Sequence, residues 1–106
     1  MVTQQAAINI TREFVQGIIA KGFPLKKAVL FGSFSRNEQG TWSDIDLALV
    51  ADEFTGVGYF DSRFFLDVKV SDKKFTSIET HTFPTNYFEQ GDPFIKEIKR
   101  TGIEVM

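Results

Sequence analysis

Between Asp44 and Val50 the chain alternates with a period of two. Ile45, Leu47 and Leu49 fall on one side, and Asp44, Asp46, Ala48 and Val50 on the other. Successive side chains of a strand point to opposite faces, so this stretch reads as a strand with one wholly apolar face. Its two aspartates then lie side by side on the other face. Like charges that close raise one another's proton affinity and oppose each other's ionisation. A divalent cation removes the conflict, and hard Mg²⁺ takes carboxylate oxygens while keeping positions for water and phosphate. Taken alone, the aspartates fit a solvated strand face as well as a metal platform. What lies upstream decides between the two.

Ala28-Val29-Leu30-Phe31 is a short apolar run that reads as a second, buried strand. Gly32 follows it and opens a turn. Without a Cβ its backbone can approach a phosphate closely. The amides of Gly32, Ser33 and the residues after them can donate to anionic oxygens, and the Ser33 hydroxyl adds a donor. Arg36 could add a cationic fork. Each also has a plain reading: a turn glycine, a helix cap and a surface arginine. One edge of the site is thus an anion cradle and the other a metal platform. A metal-bound nucleoside triphosphate satisfies both.

A third carboxylate would complete a two-metal site. Glu79 is the leading candidate, because Phe75 to Phe83 alternates as a strand with Ile78 on one side and Glu79 and His81 on the other. Asp67, on an expected helix, and Asp72, in a charged turn, compete with it. His81 is the only histidine and reads as a surface or hydrogen-bonding residue. Trp42 reads as loop packing.

Around these segments the sequence predicts a helix from Gln4 to Ala20, with Ile10, Phe14, Val15, Ile18 and Ile19 on its apolar face. A turn of helix is expected over Ser33 to Asn37, and a helix over Asp61 to Val70 with Phe64, Phe65 and Val68 inward. Asp92-Pro93 starts a last helix with Phe94, Ile95 and Ile98 on its apolar face, and Ile103 to Val105 suggests an edge strand. The expected architecture is α/β (α+β): a small mixed sheet flanked by helices, in one domain over residues 1–106.

Several functions are excluded or disfavoured. The chain has no cysteine, so disulfides, thiolate zinc sites and cysteine nucleophiles are out. Its formal net charge is −2, and its basic residues are scattered among acids. Strong nonspecific nucleic-acid binding, which needs a basic stripe, is not expected. No apolar stretch spans a bilayer, and Met1 to Gln5 has no signal-peptide character. A cytoplasmic location is expected. A chain of 106 residues with twelve phenylalanines has a thin core, so a partner surface or a homo-oligomer is in keeping with it.

The stretch from Leu30-Phe31-Gly32-Ser33 to Ser43-Asp44-Ile45-Asp46-Leu47, with ten residues between the Gly-Ser and Asp-x-Asp elements, resembles the signature of the DNA polymerase β-like nucleotidyltransferase superfamily. Within it the chain resembles the minimal nucleotidyltransferase branch. The resemblance implies the polymerase β-like fold. It also implies that Gly32, Ser33 and Arg36 hold the triphosphate of ATP or another nucleoside triphosphate, and that Asp44, Asp46 and Glu79 bind two Mg²⁺ ions. The expected reaction moves a nucleoside monophosphate, AMP from ATP, to a hydroxyl. A helical HEPN-type protein partner, in a toxin–antitoxin pair, is a further implication. The competing expectation is a catalytically weak nucleotide- or partner-binding module of the same fold. The chain departs from the family at Asn37, where glycine is common, and at Glu79, where aspartate is common.

Overall fold

The computed structural model of the chain describes residues 2–106. Helix α1 runs from Gln4 to Ala20, over the predicted span. The Thr3 hydroxyl accepts from the Ala6 amide at 3.1 Å, satisfying one of the donors that a helix start leaves open. The buried stripe is Ala7, Thr11, Phe14, Val15 and Ile18. It is rotated from the predicted face, since Ile19 is exposed and Ile10 half-buried. Thr11 can be buried because its hydroxyl donates to the Ala7 carbonyl at 2.9 Å.

Four strands form one sheet in the order β3-β2-β1-β4: β1 Lys27–Phe31, β2 Ile45–Ala51, β3 Ile78–Pro84 and β4 Ile103–Glu104. β1 pairs antiparallel with β2 and β4, and β2 pairs parallel with β3. The mixed sheet is therefore as expected. β2 begins one residue later than the alternation suggests, so Asp44 stands before the strand.

The two faces of the sheet carry unequal cores. Leu30, Ile45, Leu47, Leu49 and Ile78 pack with Phe14, Val15 and Ile18 of α1 and with Phe54, Phe65 and Phe75. Phe14 meets Phe65 edge-on at 6.0 Å and Phe75 at 5.4 Å. Each fully buried large side chain contributes about 1.5–3 kcal/mol, and this face holds most of them. The opposite face buries only Val29, Phe31, Ala48, Val50, Phe88, Ile95 and Ile98. It is covered by α4 (Thr85–Gln90) and α5 (Pro93–Thr101).

A parallel strand pair needs a crossover, and residues 52–77 supply it. The predicted helix over Asp61 to Val70 is instead broken. α2 (Gly58–Asp61) passes into a 3₁₀ turn at Ser62–Phe64, and α3 (Leu66–Val70) follows. The break falls at Phe65, where φ is −140° and the ring turns into the larger core. The predicted strand from Phe75 likewise starts later, at Ile78. A 3₁₀ turn over Lys73–Ser77 precedes it, capped by Asp72 accepting from Lys74 N at 3.0 Å.

Helix α4, with Phe88 buried, has no counterpart in the predicted elements, because six residues are too few to display a period. α5 starts as predicted, with Asp92 accepting from Ile95 N at 2.7 Å. Phe94, expected on its apolar face, is instead exposed. Among the described residues no helix is long and apolar enough to cross a membrane.

Asp61 ties the crossover to β3. Its buried carboxylate accepts from Thr55 N at 2.8 Å, Thr55 Oγ1 at 2.9 Å, Gly56 N at 2.9 Å and Thr82 Oγ1 at 2.6 Å. Burial alone would push its pKa up. The hydrogen bonds from Thr55, Thr82 and Gly56 outweigh that and hold it below the ordinary 3.8. The folded state therefore gains stability from this ionised group above the unfolded pKa and loses it as pH falls through the lower folded value. We expect Asp61→Ala to cost about 2–4 kcal/mol at neutral pH, because it strands buried donors. In urea denaturation the gap between parent and variant should narrow below pH 3.8. A gap that stays constant into acid would rule out this role of the carboxylate.

Candidate active site

The register of the parallel pair sets the site. Asp46 of β2 stands beside Glu79 of β3, and both point to the face of the smaller core. His81 lies two residues further along β3 on that same face. Its Nε2 is 3.3 Å from Asp46 Oδ1 and 3.9 Å from Glu79 Oε1. One ligand atom from each of the three side chains lies within 4.8 Å of the others. Adjacent carboxylates across a ladder repel one another. Two carboxylates and an imidazole converging on one point form a donor set that fits a divalent cation.

The Gly-Ser turn closes over this cluster. Gly32 has φ of 75°, a left-handed conformation that an L side chain adopts only with strain. A Cβ there would stand 2.5 Å from Asp46 Oδ2, so the backbone passes directly against the carboxylate. The turn that follows is fixed from three directions. The Ser35 hydroxyl donates to the Gly32 carbonyl at 2.9 Å. Phe34 is buried in the larger core. The Gln4 side-chain amide at the start of α1 donates to the Phe34 and Ser35 carbonyls at 3.0 and 3.2 Å. Where a turn of helix is expected over Ser33 to Asn37, Gly32 to Asn37 forms consecutive hydrogen-bonded turns, with Arg36 N donating to the Gly32 carbonyl at 3.4 Å. Asn37 ends them with φ of 55°, a region that asparagine tolerates better than most residues.

The remaining predicted residues are placed as follows. Ser33 is half-buried in the turn. Arg36 is exposed and donates from Nε to Glu38 at 2.6 Å. Asp44 is exposed just ahead of β2 and is not among the three clustered side chains. A Gly40–Ser43 turn, with Gly40 N donating to Ser43 Oγ at 2.8 Å, leads into it. Trp42 is 93% exposed, which overturns the expectation that it packs the loop. Asp67 is engaged by Lys21 at 2.6 Å, and Asp72 caps the 3₁₀ turn. The two competitors for the third acidic position are thus occupied elsewhere. The contact between His81 and Asp46 was half-visible in sequence: the alternation put His81 on the face of Glu79, but not which strand that face would meet.

Aromatic rings wall the cluster on the side of α5. Phe31 stands edge-on to His81 with centroids 5.0 Å apart, and Phe94 packs edge-on to Phe31 at 5.6 Å. Their bulk limits the rotation of the imidazole. It also explains why Phe94 is drawn out of the line of Ile95 and Ile98.

This strand order and acidic cluster lie in a fold shared with a solved structure. The structure is similar to a protein of Sulfolobus solfataricus provisionally assigned as a nucleotidyltransferase. The TM-score is 0.66 at 17% identity, over 95% of this chain and 80% of that one. The nucleotidyltransferase domain pattern matches residues 12–105, and the chain belongs to that family. No curated protein matches the sequence as a relative.

Replacing Gly32 tests the close approach. Gly32→Ala should destabilise the fold by about 1–3 kcal/mol, from left-handed strain together with the collision at Asp46. It should also move the NMR resonances of the His81 ring, because Asp46 must give way. Asn37→Gly relieves the same kind of strain without a collision and should leave both within error. An unchanged stability in Gly32→Ala would show that the turn has room for a side chain.

Proposed function

We propose that the chain transfers AMP from ATP to a hydroxyl acceptor in a Mg²⁺-dependent reaction that releases pyrophosphate. The observation that carries this reading is the Asp46–Glu79 register, with Gly32 of the Gly-Ser turn against the Asp46 carboxylate. In this reading Asp44, Asp46 and Glu79 hold two ions, Asp44 from the strand mouth and the other two from the ladder. The ions, when bound, would neutralise triphosphate charge and lower the barrier to attack on the α-phosphorus. The chain's own groups position the reactants, which is most of what phosphoryl chemistry asks of a protein.

Gly32 and Ser33 present amides and a hydroxyl to phosphate oxygens from a turn already fixed by Gln4 and Phe34. Arg36 is paired with Glu38 on the surface, where an ion pair is worth little. Exchanging Glu38 for a phosphate oxygen is therefore cheap. The choice of AMP and a helical HEPN-type partner both rest on the family resemblance. Exposed Tyr59, Phe60, Leu66 and Val70 along α2 and α3 offer apolar surface that such a partner would cover.

A second reading is favoured by one observation. With Asp44 outside the cluster of Asp46, Glu79 and His81, the domain would bind nucleotide or a partner and transfer slowly or not at all.

Thermal unfolding with Mg²⁺, ATP and both, in the parent and in Asp44→Asn/Asp46→Asn, tests the proposal. A ligand at a hundredfold excess over its Kd adds about 2.7 kcal/mol, which for a domain of this size is on the order of ten degrees. The parent should show that shift only with both ligands, and the double variant should lose it. No shift in the parent at millimolar ligand would overturn the proposed nucleotide site.

A further inference from the structure

We infer that His81 is itself a metal ligand, and that Asp46, Glu79 and His81 form a mixed oxygen–nitrogen site preferring a first-row transition-metal ion of the zinc class over Mg²⁺. This deepens the proposed function, because it rests on Asp46 and Glu79 being a metal platform.

Three observations carry it. First, distance: ligand atoms around an ion bound at about 2.1 Å stand roughly 3.0–3.4 Å apart in octahedral or tetrahedral geometry. His81 Nε2 and Asp46 Oδ1 are 3.3 Å apart, already at that spacing. The 3.9 Å to Glu79 Oε1 is on the side chain with the most freedom, 56% exposed. Second, orientation: the Phe31 ring holds the imidazole edge-on at 5.0 Å, and the side chain is 29% exposed, so little rotamer freedom is left to lose on ligation. Third, donor chemistry: carboxylates alone suit Mg²⁺, while an imidazole nitrogen favours zinc and its first-row neighbours.

The plain alternative is that His81 only donates a hydrogen bond from Nε2 to Asp46 and orients it. The two roles differ in what Nε2 carries: a proton in the hydrogen bond, a metal on ligation, with the ring proton then on Nδ1. The sequence makes this readable, since the chain has one histidine and no cysteine. Every imidazole signal belongs to His81, and no thiolate competes for the metal.

The experiment titrates the whole chain with Zn²⁺, Mn²⁺ or Mg²⁺, without nucleotide, by calorimetry. In parallel the ¹⁵N resonances of the single imidazole are followed with Zn²⁺. The parent, His81→Asn and Glu79→Gln are compared, with circular dichroism to show that each is folded. We expect Zn²⁺ to shift Nε2 far more than Nδ1. We expect His81→Asn to weaken Zn²⁺ binding by about tenfold or more, Mn²⁺ binding by less, and to leave Mg²⁺ within about twofold. If Zn²⁺ and Mg²⁺ bind the parent and His81→Asn alike, and Glu79→Gln weakens both, the platform stands and the role of His81 falls. If Nε2 keeps its proton in the Zn²⁺-loaded protein, His81 is a positioning residue and the inference is wrong. If no ion binds the parent, this inference and the metal platform beneath it fail together.

Discussion

The parallel pairing of β2 with β3 is the constraint on which the rest depends. A parallel pair cannot be closed by a hairpin, so the chain must travel from Ala51 to Ile78 before it can lay the second strand down. The register it reaches, Ile45 beside Ile78 and Asp46 beside Glu79, does two things at once. It puts the isoleucines into the larger core and the carboxylates onto the opposite face. A slip by one residue would exchange them, burying Glu79 and exposing Ile78. The apolar face therefore favours the acidic cluster: burying Ile78 beside Ile45 turns Glu79 to the face that Asp46 shares. Asp61 guards the same register from the crossover, because its carboxylate binds both Thr55 near the start of the crossover and Thr82 on β3.

The unequal cores explain where a site can exist. The face covered by α1 and the crossover is filled by phenylalanines and branched aliphatics and leaves no room for polar chemistry. The other face is covered only by the short helices α4 and α5, which reach Val29, Phe31, Ala48 and Val50. Asp46 pairs with Phe31 at the end of β1, and there Asp46, Glu79 and His81 stand partly open to solvent. The aromatic wall of Phe31 and Phe94 marks where core ends and site begins. A modest core on that face is the condition for the chemistry, since a larger one would have to bury the carboxylates.

The legible parts of the sequence were those with a period. α1 was legible to its ends, because seventeen residues give a stripe more than four turns long. Its rotation was not, because Thr11 looks polar until its hydroxyl is satisfied within the helix. The strands around Gly32, Asp46 and Glu79 were legible from alternation and turn chemistry. The crossover was not. Its phenylalanines have helical spacing, yet Asp61 and Phe65 are both drawn inward, and a continuous helix cannot serve both. Helix α4 was too short to announce itself. In the site, Asp46 and Glu79 could be placed by face, whereas the exposure of Trp42 and the contact of His81 with Asp46 depend on tertiary placement.

Several departures from local consistency gather at one end of this sheet. Elsewhere α1 and α5 are capped and the buried Asp61 carboxylate has four donors. Around the Gly32 turn the departures stand together. Two carboxylates sit in ladder contact, Gly32 and Asn37 are both left-handed, an acid stands at a strand mouth, and a tryptophan is almost wholly in water. Such departures concentrate where a structure is shaped for something other than its own folding. The restraints on the turn point the same way. Gln4, Ser35 and Phe34 hold the left-handed turn in place. A turn fixed in this way beside clustered carboxylates would be organised before any ligand arrived. That lowers the cost of ordering on binding and is the physical reason to look for an anion and a cation there together.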